Sequence, residues 1–480
     1  PSPAGRDRVL AGHHRGKDFR PTRLAPSHAW AEEQGAVFVE VGAWMRALMF
    51  PKPGETAQQT VDREVANTRT NVGVCDVSTL GKIDVQGSDA ATFLDRVYIN
   101  GFSKLAVGKA RYGLMLREDG FAMDDGTTAR LADDHFYMTT TTANAVKVSQ
   151  HLEFCQQVLW PELDVQTVSQ TEQWAQYAVA GPNARRSSRR CSMQARIFRT
   201  KPSPTWRAAP SRCAAVRGPV FRLSFSGELA YEIGVPARFG DGLIRAIMVA
   251  GAEHGIAPYG TDALGVMRIE KGHAAGPELN GQTTAHDLGL GKMMSKKKDF
   301  IGRFMGERDA LNESARAAMV GLKPLDPKMR INAGAHLVPR NAAANAENDQ
   351  GYVTSQAYSP ELQSFIGLAM LSDGPARTAR WSRSAIRCAT TKRWPRCAVL
   401  TLSIRKGGGS VSKLKSMSAL QAYRSRVVMA GPTAKRALPY RSAPISVWRR
   451  SKSAKVKRPP SMPRSMPPMA WRSRTGPCRP

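Results

Sequence analysis

The stretch Lys109-Ala-Arg-Tyr-Gly-Leu-Met-Leu-Arg-Glu-Asp-Gly-Phe-Ala-Met-Asp-Asp-Gly126 carries a tyrosine and two acids at a spacing that could do chemistry. Asp119-Gly120 between apolar flanks predicts a two-residue hairpin turn. Such a turn sets Leu114 opposite Asp125 and Met115 opposite Asp124. Tyr112, Leu114, Asp125 and Thr127 then share one face, with Tyr112 and Asp125 as diagonal neighbours. A phenol beside a carboxylate is a usable pair. The ring stacks on a flat heterocycle while the carboxylate handles a proton or a cation. The same letters also allow a plainer reading, in which Asp124-Asp125-Gly126 is a second turn.

A second stretch, Phe225-Ser-Gly-Glu-Leu-Ala-Tyr-Glu-Ile-Gly-Val-Pro236, offers Glu228 and Glu232. A carboxylate can accept two parallel hydrogen bonds from an N–H/NH2 edge such as pterins and guanines present. The alternative is a strand with solvated acids. A third, Asp262 to Gly272, holds Arg268 and Glu270. Two residues apart on a helix, they are predicted to point in different directions, with at least one solvated. Lys296-Lys-Lys298 reads as a solvated loop that could meet an anionic ligand tail.

The elements that must position these residues alternate between strand and helix. Gly81-Lys-Ile-Asp-Val-Gln-Gly87 alternates like a half-buried strand. Ser88 or Asp89 then caps a helix with Phe93 and Leu94 facing inward. Val220 to Phe225 resumes strand character, and helices are predicted from Gly240 to about Glu253 and from Asp262 to Lys271. Residues 317–371 alternate again, with a turn at Ser359-Pro360, and predict a small β-domain. No internal repeat is evident.

Net charge is +31, which would suggest a nucleic-acid binder, but its distribution argues otherwise. Residues 378–480 contain 25 Lys and Arg and no acid, and residues 184–217 contain 10 and no acid. The remainder holds 35 basic and 39 acidic residues, the balance of an ordinary acidic enzyme. Three readings suit the acid-free stretches: a disordered basic arm, a nucleic-acid arm, or GC-rich coding sequence read out of frame. Their abrupt borders and lack of any period favour the last. No compact packing is expected in either stretch.

The seven cysteines form no C-x-x-C pair, which supports neither a zinc site nor a disulfide framework, so no metal is expected. No run of 18 apolar residues predicts a membrane helix. A reducing, cytoplasmic setting suits this composition. The chain opens on Pro1 and reads as a fragment, with residues 1–40 expected to be a lead-in from a missing N-terminal dinucleotide-binding part.

The motifs named above stand in a familiar order. Asp76-Val-Ser-Thr-Leu-Gly81, the Tyr112…Asp124-Asp125 hairpin and Ala180-Gly-Pro-Asn183 come first. Ser226-Gly-Glu-Leu-Ala-Tyr-Glu-Ile233, Arg268-Ile-Glu-Lys-Gly272, Asp299-Phe-Ile-Gly-Arg303 and Thr354-Ser…Ser359-Pro360 follow. Each motif is weak alone, but the series resembles the glycine-cleavage T-protein, or aminomethyltransferase, family over about residues 40–183 and 218–373. Gly12-His-His-Arg-Gly-Lys-Asp-Phe-Arg20, Asp95-Arg-Val-Tyr-Ile-Asn100 and Thr139-Thr-Thr-Thr142 are similar, more narrowly, to alpha subunits of heterotetrameric sarcosine oxidases.

The resemblance implies an α+β fold: a cloverleaf of α+β subdomains plus a small C-terminal β-barrel around a folate channel. Residues 41–316 would form the folate-binding domain, interrupted by 184–217; residues 317–377 would form a truncated barrel, followed by the basic tail 378–480. It implies Asp125 as the catalytic acid, Tyr112 against the folate, Glu232 on the pterin and Thr141 near the folate site. The function implied is the folate-dependent half of a sarcosine oxidase alpha subunit, an enzyme of one-carbon metabolism. It would pass the carbon of oxidised sarcosine to tetrahydrofolate, giving 5,10-methylenetetrahydrofolate and glycine, with the other oxidase subunits as partners.

Flavin and NAD are expected in the intact complex, yet no G-x-G-x-x-G strand–turn–helix occurs here, so this chain alone is expected to be inactive in oxidation. The alternatives are a free-standing aminomethyltransferase of glycine cleavage, a catalytically silent folate-binding regulator and a basic nucleic-acid-binding protein. The last needs basic side chains spread over a folded surface, whereas here they sit in two unpatterned blocks.

Overall fold

A computed structural model describes residues 22–191, 207–213, 216–313, 315–324, 326–339, 342–374, 385–389 and 396–399. All of them belong to the compact unit that ends at Leu420. Two sheets build the body of the molecule. The first has five antiparallel strands in the spatial order Ala110–Leu116, Ala122–Ala132, His135–Thr140, Gly81–Gln86, Gln166–Ser169. Alternation decides its two faces. Ile83, Val85, Met115, Phe136 and Met138 point to one side, where Phe93, Leu94 and Val97 of the helix Ala90–Val97 and Val148 and Leu152 of the helix Ala145–Phe154 bury them. The opposite face carries Lys82, Asp84, Tyr112, Asp125, Thr127, Tyr137 and Thr139, as the strand register requires.

The second sheet has six strands in the order Arg207–Cys213, Val216–Arg222, Ala230–Pro236, Trp174–Ala180, Val72–Asp76, Ile256–Pro258. Its last pair is parallel and the rest antiparallel. Val72, Val74, Tyr177, Val179, Ile233 and Val235 face the helix Gly240–Gly251 and Trp30. The other side brings Phe221 onto Tyr137 of the first sheet, stacked with ring centroids 5.4 Å apart. The polar face of one sheet thus meets the second sheet across a shared interior.

The C-terminal part closes as a six-stranded barrel: Ala317–Pro324, Ser364–Ser372, Gly351–Ser359, His336–Pro339, Ala385–Ala389, Arg396–Val399 and back to the first. Ile366 and Leu368 of the barrel pack on Ile269 of the helix Thr261–Lys271. Two of these strands lie beyond residue 377, so the change of composition is not the end of strand pairing. The other compositional border behaves alike. Helix Ala184–Cys191 forms inside the acid-free stretch with Ala184, Ser187 and Ser188 buried, and Arg207–Cys213 pairs with Val216–Arg222. Residues 192–206 and 400–480 lie outside the described residues.

The folded body also starts before residue 41. Helix His28–Glu33 and the three-stranded sheet Arg23–Leu24, Trp44–Met49, Val37–Val41 bury Trp30, Trp44 and Phe50. The expected helix cap holds with one change. Asp89 is the N-cap of Ala90–Val97, but its carboxylate accepts from Asp164 N (3.0 Å) instead of from its own helix. Among the described residues no helix is long and apolar enough to cross a membrane, and no cluster of three His, Cys, Asp or Glu is placed to hold a metal.

Candidate functional site

Asp125 sits opposite Leu114, and Asp124 opposite Met115, in mid-strand. The reading of Asp124-Asp125-Gly126 as a turn is therefore excluded. The pairing arises differently from the expected two-residue hairpin. Arg117 N bonds Phe121 O (2.8 Å) and Gly120 N bonds Arg117 O (3.0 Å), enclosing a three-residue loop with Gly120 at φ +89°. A three-residue loop alone would shift the register by one and turn Asp125 to the wrong face. Leu116 indeed pairs with Ala122, but the next pair is Met115 with Asp124, so Met123 is an extra residue that restores the register.

The Tyr112 hydroxyl donates to Asp125 Oδ2 at 2.8 Å. His273, the first residue after the Gly272 that ends helix Thr261–Lys271 in left-handed conformation, approaches from outside the sheet. Its Nε2 lies 4.0 Å from Asp125 Oδ2, and its ring meets Tyr112 edge-on at 5.7 Å and Phe225 at 4.9 Å. Asp125 is only 8% exposed. Burial, and then the charge of Asp124, push its carboxyl up to about 7. Burial and the nearby Lys271 and Arg268 push His273 down to about 3, so the imidazole is neutral at physiological pH and does not offset that carboxyl. Burial also raises the Tyr112 phenol well above its ordinary range, which keeps it a donor.

Behind the strand, Asp124 is fully buried and accepts from Thr141 N (3.1 Å), Thr141 Oγ1 (2.6 Å) and Asn144 Nδ2 (3.0 Å). Thr141, expected near the ligand, is thus bonded to Asp124 and not to Asp125. Glu232 lies in mid-strand opposite Ala178 and is half-buried. Gln176 Nε2 donates to its Oε2 at 2.5 Å, and Tyr137 reaches Gln176 Oε1 at 3.4 Å. Burial raises the Glu232 carboxyl, against Gln176 and the buried Lys82, which lower it. Tyr137 shares the sheet face of Asp125 and Tyr112, so a polar chain runs from that face to Glu232.

The other candidates are structural. Glu228 is buried and paired with Arg69 at 2.7 Å, neither solvated nor open to a ligand. Arg268 and Glu270 are both buried, which corrects the expectation that one is solvated. They do point apart, but the helix is covered on both sides. Arg268 pairs with Glu278 at 2.8 Å, whereas Glu270 pairs with Arg69 and accepts from Ser359 Oγ at 2.6 Å. Lys298 is tied to the carbonyls of Asp95 and Tyr98, while Lys296 and Lys297 are exposed. The residues that sequence reasoning missed are His273, Phe225 as its partner, Gln176 and the Asn144 contact to Asp124. Gly272 just before His273 was the one available signal, because a left-handed helix stop turns the next side chain off the helix axis.

The GCVT N-terminal domain model matches residues 27–298, more than half of the chain. The sarcosine oxidase subunit alpha of Rhizobium meliloti (strain 1021) is 52% identical over 371 residues, 77% of this chain and 38% of that protein. That of Corynebacterium sp. (strain P-1) is 42% identical over 77% of this chain and likewise 38% of its own length. This chain therefore spans well under half of those relatives. The aminomethyltransferase of Anoxybacillus flavithermus (strain DSM 21510 / WK1) is 30% identical over 73% of this chain and 90% of its own. In fold, the chain is similar to the glycine cleavage system aminomethyltransferase T of Bartonella henselae, with a TM-score of 0.67 over 80% of this chain and 98% of that one at 21% identity. With the α+β body, the closing barrel and these matches in agreement, the chain belongs to the aminomethyltransferase (GCVT) family.

Proposed function

We propose that this chain is the folate-dependent part of a sarcosine oxidase alpha subunit. It takes the one-carbon unit of oxidised sarcosine and passes it to tetrahydrofolate, yielding 5,10-methylenetetrahydrofolate and glycine. The observation that carries this reading is the buried Asp125 carboxyl, held at 2.8 Å by the Tyr112 hydroxyl and raised to about 7. An acid–base group does most when it titrates near the working pH. As each of two carbon–nitrogen bonds to folate forms, Asp125 takes up the proton released and gives it to the glycine nitrogen, whose double bond to the carbon breaks in the same two stages. Two protons enter and two leave.

The side chains present suit a folate. Glu232 has one oxygen engaged by Gln176, and its carboxylate can take the N–H/NH2 edge of a pterin. Tyr112, His273 and the partly exposed Phe225 give an aromatic wall for a flat ring. Tetrahydrofolate supplies the amine nitrogens that accept the carbon. Thr141 acts on the site through Asp124. The electrons of sarcosine go to a flavin held elsewhere in the intact oxidase, where NAD is also expected, so the 480-residue chain by itself does not oxidise sarcosine. The partners are the remaining oxidase subunits, in the cytoplasm.

The test is Asp125→Asn in the intact, reconstituted oxidase. Sarcosine-dependent oxygen consumption should be unchanged, while 5,10-methylenetetrahydrofolate falls and free formaldehyde rises in its place. Loss of both activities together would refute the division of labour. The match to a free-standing aminomethyltransferase over 90% of its length supports a second reading, in which the donor is a lipoyl carrier protein. Copurification of the natural protein with flavin-bearing subunits or with a lipoyl carrier separates the two.

A further inference from the structure

The strand Ala122–Ala132 carries two buried carboxyls side by side, and the mechanism above uses only one. They face opposite ways and have opposite surroundings. Asp124 is met by three donors, the Thr141 backbone N–H, the Thr141 hydroxyl and the Asn144 amide. The N–H and the NH2 can only donate, so this pocket is matched to an acceptor, which a carboxylate is at both oxygens. Asp125 has one side-chain donor, Tyr112, and His273 stands 4.0 Å away. Two like charges this close in a buried setting cannot both persist without a cation.

We propose that Asp124 is a positioning residue that keeps the negative charge of the pair on the back of the sheet, so that Asp125 is the member that holds the proton. This rests on the folate-transfer reading for its purpose, but not for its physics. Among the described residues, these titratable groups act on the pair. Tyr112 lies on the neighbouring strand, Tyr98 follows the helix Ala90–Val97, and His273 follows the helix Thr261–Lys271, with Lys271 and Arg268 acting on His273. Among the described residues none of these cations bonds to either carboxyl. Burial raises Asp124 too, but its three bonds and the Asp125 N–H pull against that, whereas Asp125 has the Tyr112 bond and its own backbone N–H.

The experiment reads the Asp125 carboxyl directly, by infrared spectroscopy of the whole 480-residue chain across pH. The C=O band of the protonated acid is assigned by its disappearance in Asp125→Asn. In the unsubstituted chain the band should titrate near neutrality. In Asp124→Asn the charge behind the strand is gone, and the midpoint should fall by at least about one pH unit, a tenfold loss of proton affinity. Asn144→Ala removes one donor from Asp124 and should lower the midpoint in the same direction by less. A midpoint unmoved in folded Asp124→Asn overturns the proposal. If circular dichroism shows that this variant does not fold, an unmoved midpoint in Asn144→Ala overturns it instead. Tetrahydrofolate binding is measured on the same samples. A shifted band without folate binding would sink the functional reading and leave this inference standing, and folate binding with an unmoved band would do the reverse.

Discussion

Two of the regions where this molecule buries acids do so in opposite ways. Around the helix Thr261–Lys271, beside the barrel, the buried carboxylates Glu228, Glu270 and Glu278 each have a guanidinium. Arg69 bridges Glu228 and Glu270, and Arg268 pairs with Glu278, which also accepts from Thr354 Oγ1 and Ser355 Oγ at 2.6 Å each. At the hairpin, Asp124 and Asp125 share a buried strand with no Lys or Arg paired to either among the described residues. Paired charge holds the barrel against the body. Uncompensated charge keeps a proton available. Burial is common to both, and the cation is what differs. Glu64, buried without an ion pair among the described residues and held by the Phe50 and Gly260 N–H groups, resembles the hairpin acids in this respect.

The largest effect that tests this contrast is Asp125→Asn in the intact oxidase. Losing a well-placed acid–base group costs on the order of 10²–10⁴-fold in the step it serves. The ratio of folate product to formaldehyde should fall by that order, and a change below about tenfold would remove Asp125 from the chemistry. Next is Arg69→Met in the paired region. It strands two buried carboxylates, and breaking such a pair costs about 3–5 kcal/mol. A urea midpoint close to the parent's would mean that this network is not what holds the barrel.

Asp124→Asn should be smaller but plainly measurable. An amide offers one acceptor oxygen where three donors converge, so at least one donor loses its partner, at about 1–3 kcal/mol. Asp125→Asn relieves a buried like-charge contact and should leave stability at pH 8 unchanged or raised. If the two variants are equally destabilised, the two faces of the strand are not distinct.

The smallest effect is in pH dependence. The folded Asp125 carboxyl is raised to about 7 from an ordinary value near 4. Between these values the folded state binds more protons than the unfolded one, so its contribution to stability falls as pH rises from about 4 to 7. His273 has the opposite sign. Its folded value of about 3 lies below the unfolded one, so its contribution falls as pH drops below about 6.5. The difference between parent and Asp125→Asn urea midpoints at pH 5 and 7 isolates the first, and the same comparison with His273→Gln isolates the second. A flat difference in either would mean that the group titrates normally.

The strand Gly81–Gln86, the inward Phe93 and Leu94 and the helices at Gly240 and Thr261 were legible because each is a local pattern repeated several times. The strand expected to be half-buried is, however, buried on both faces, Lys82 and Asp84 included. The pairing of Asp125 with Leu114 was also inferred, though from a two-residue turn that does not exist. Loop and bulge each shift the register by one residue, and the two shifts cancel. Glu228, Arg268 and Glu270 were misjudged for a different reason. Their partners Arg69, Glu278 and Ser359 come from other elements, and no spacing within a motif reveals them.

What the sequence determined by itself is therefore several of the strands and helices, the sheet face on which Tyr112 and Asp125 meet, and the family order of the motifs. Periodicity is a property of neighbours in the chain, and it survives without knowledge of the rest. Only the tertiary structure decided which acids are neutralised, that His273, with Phe225 against it, approaches Asp125, and that Asp124 sits in a pocket of donors. Those outcomes depend on which distant groups share a dry interior, because a charge is stabilised or left exposed by whatever lies within a few ångströms of it, not by its place in the chain.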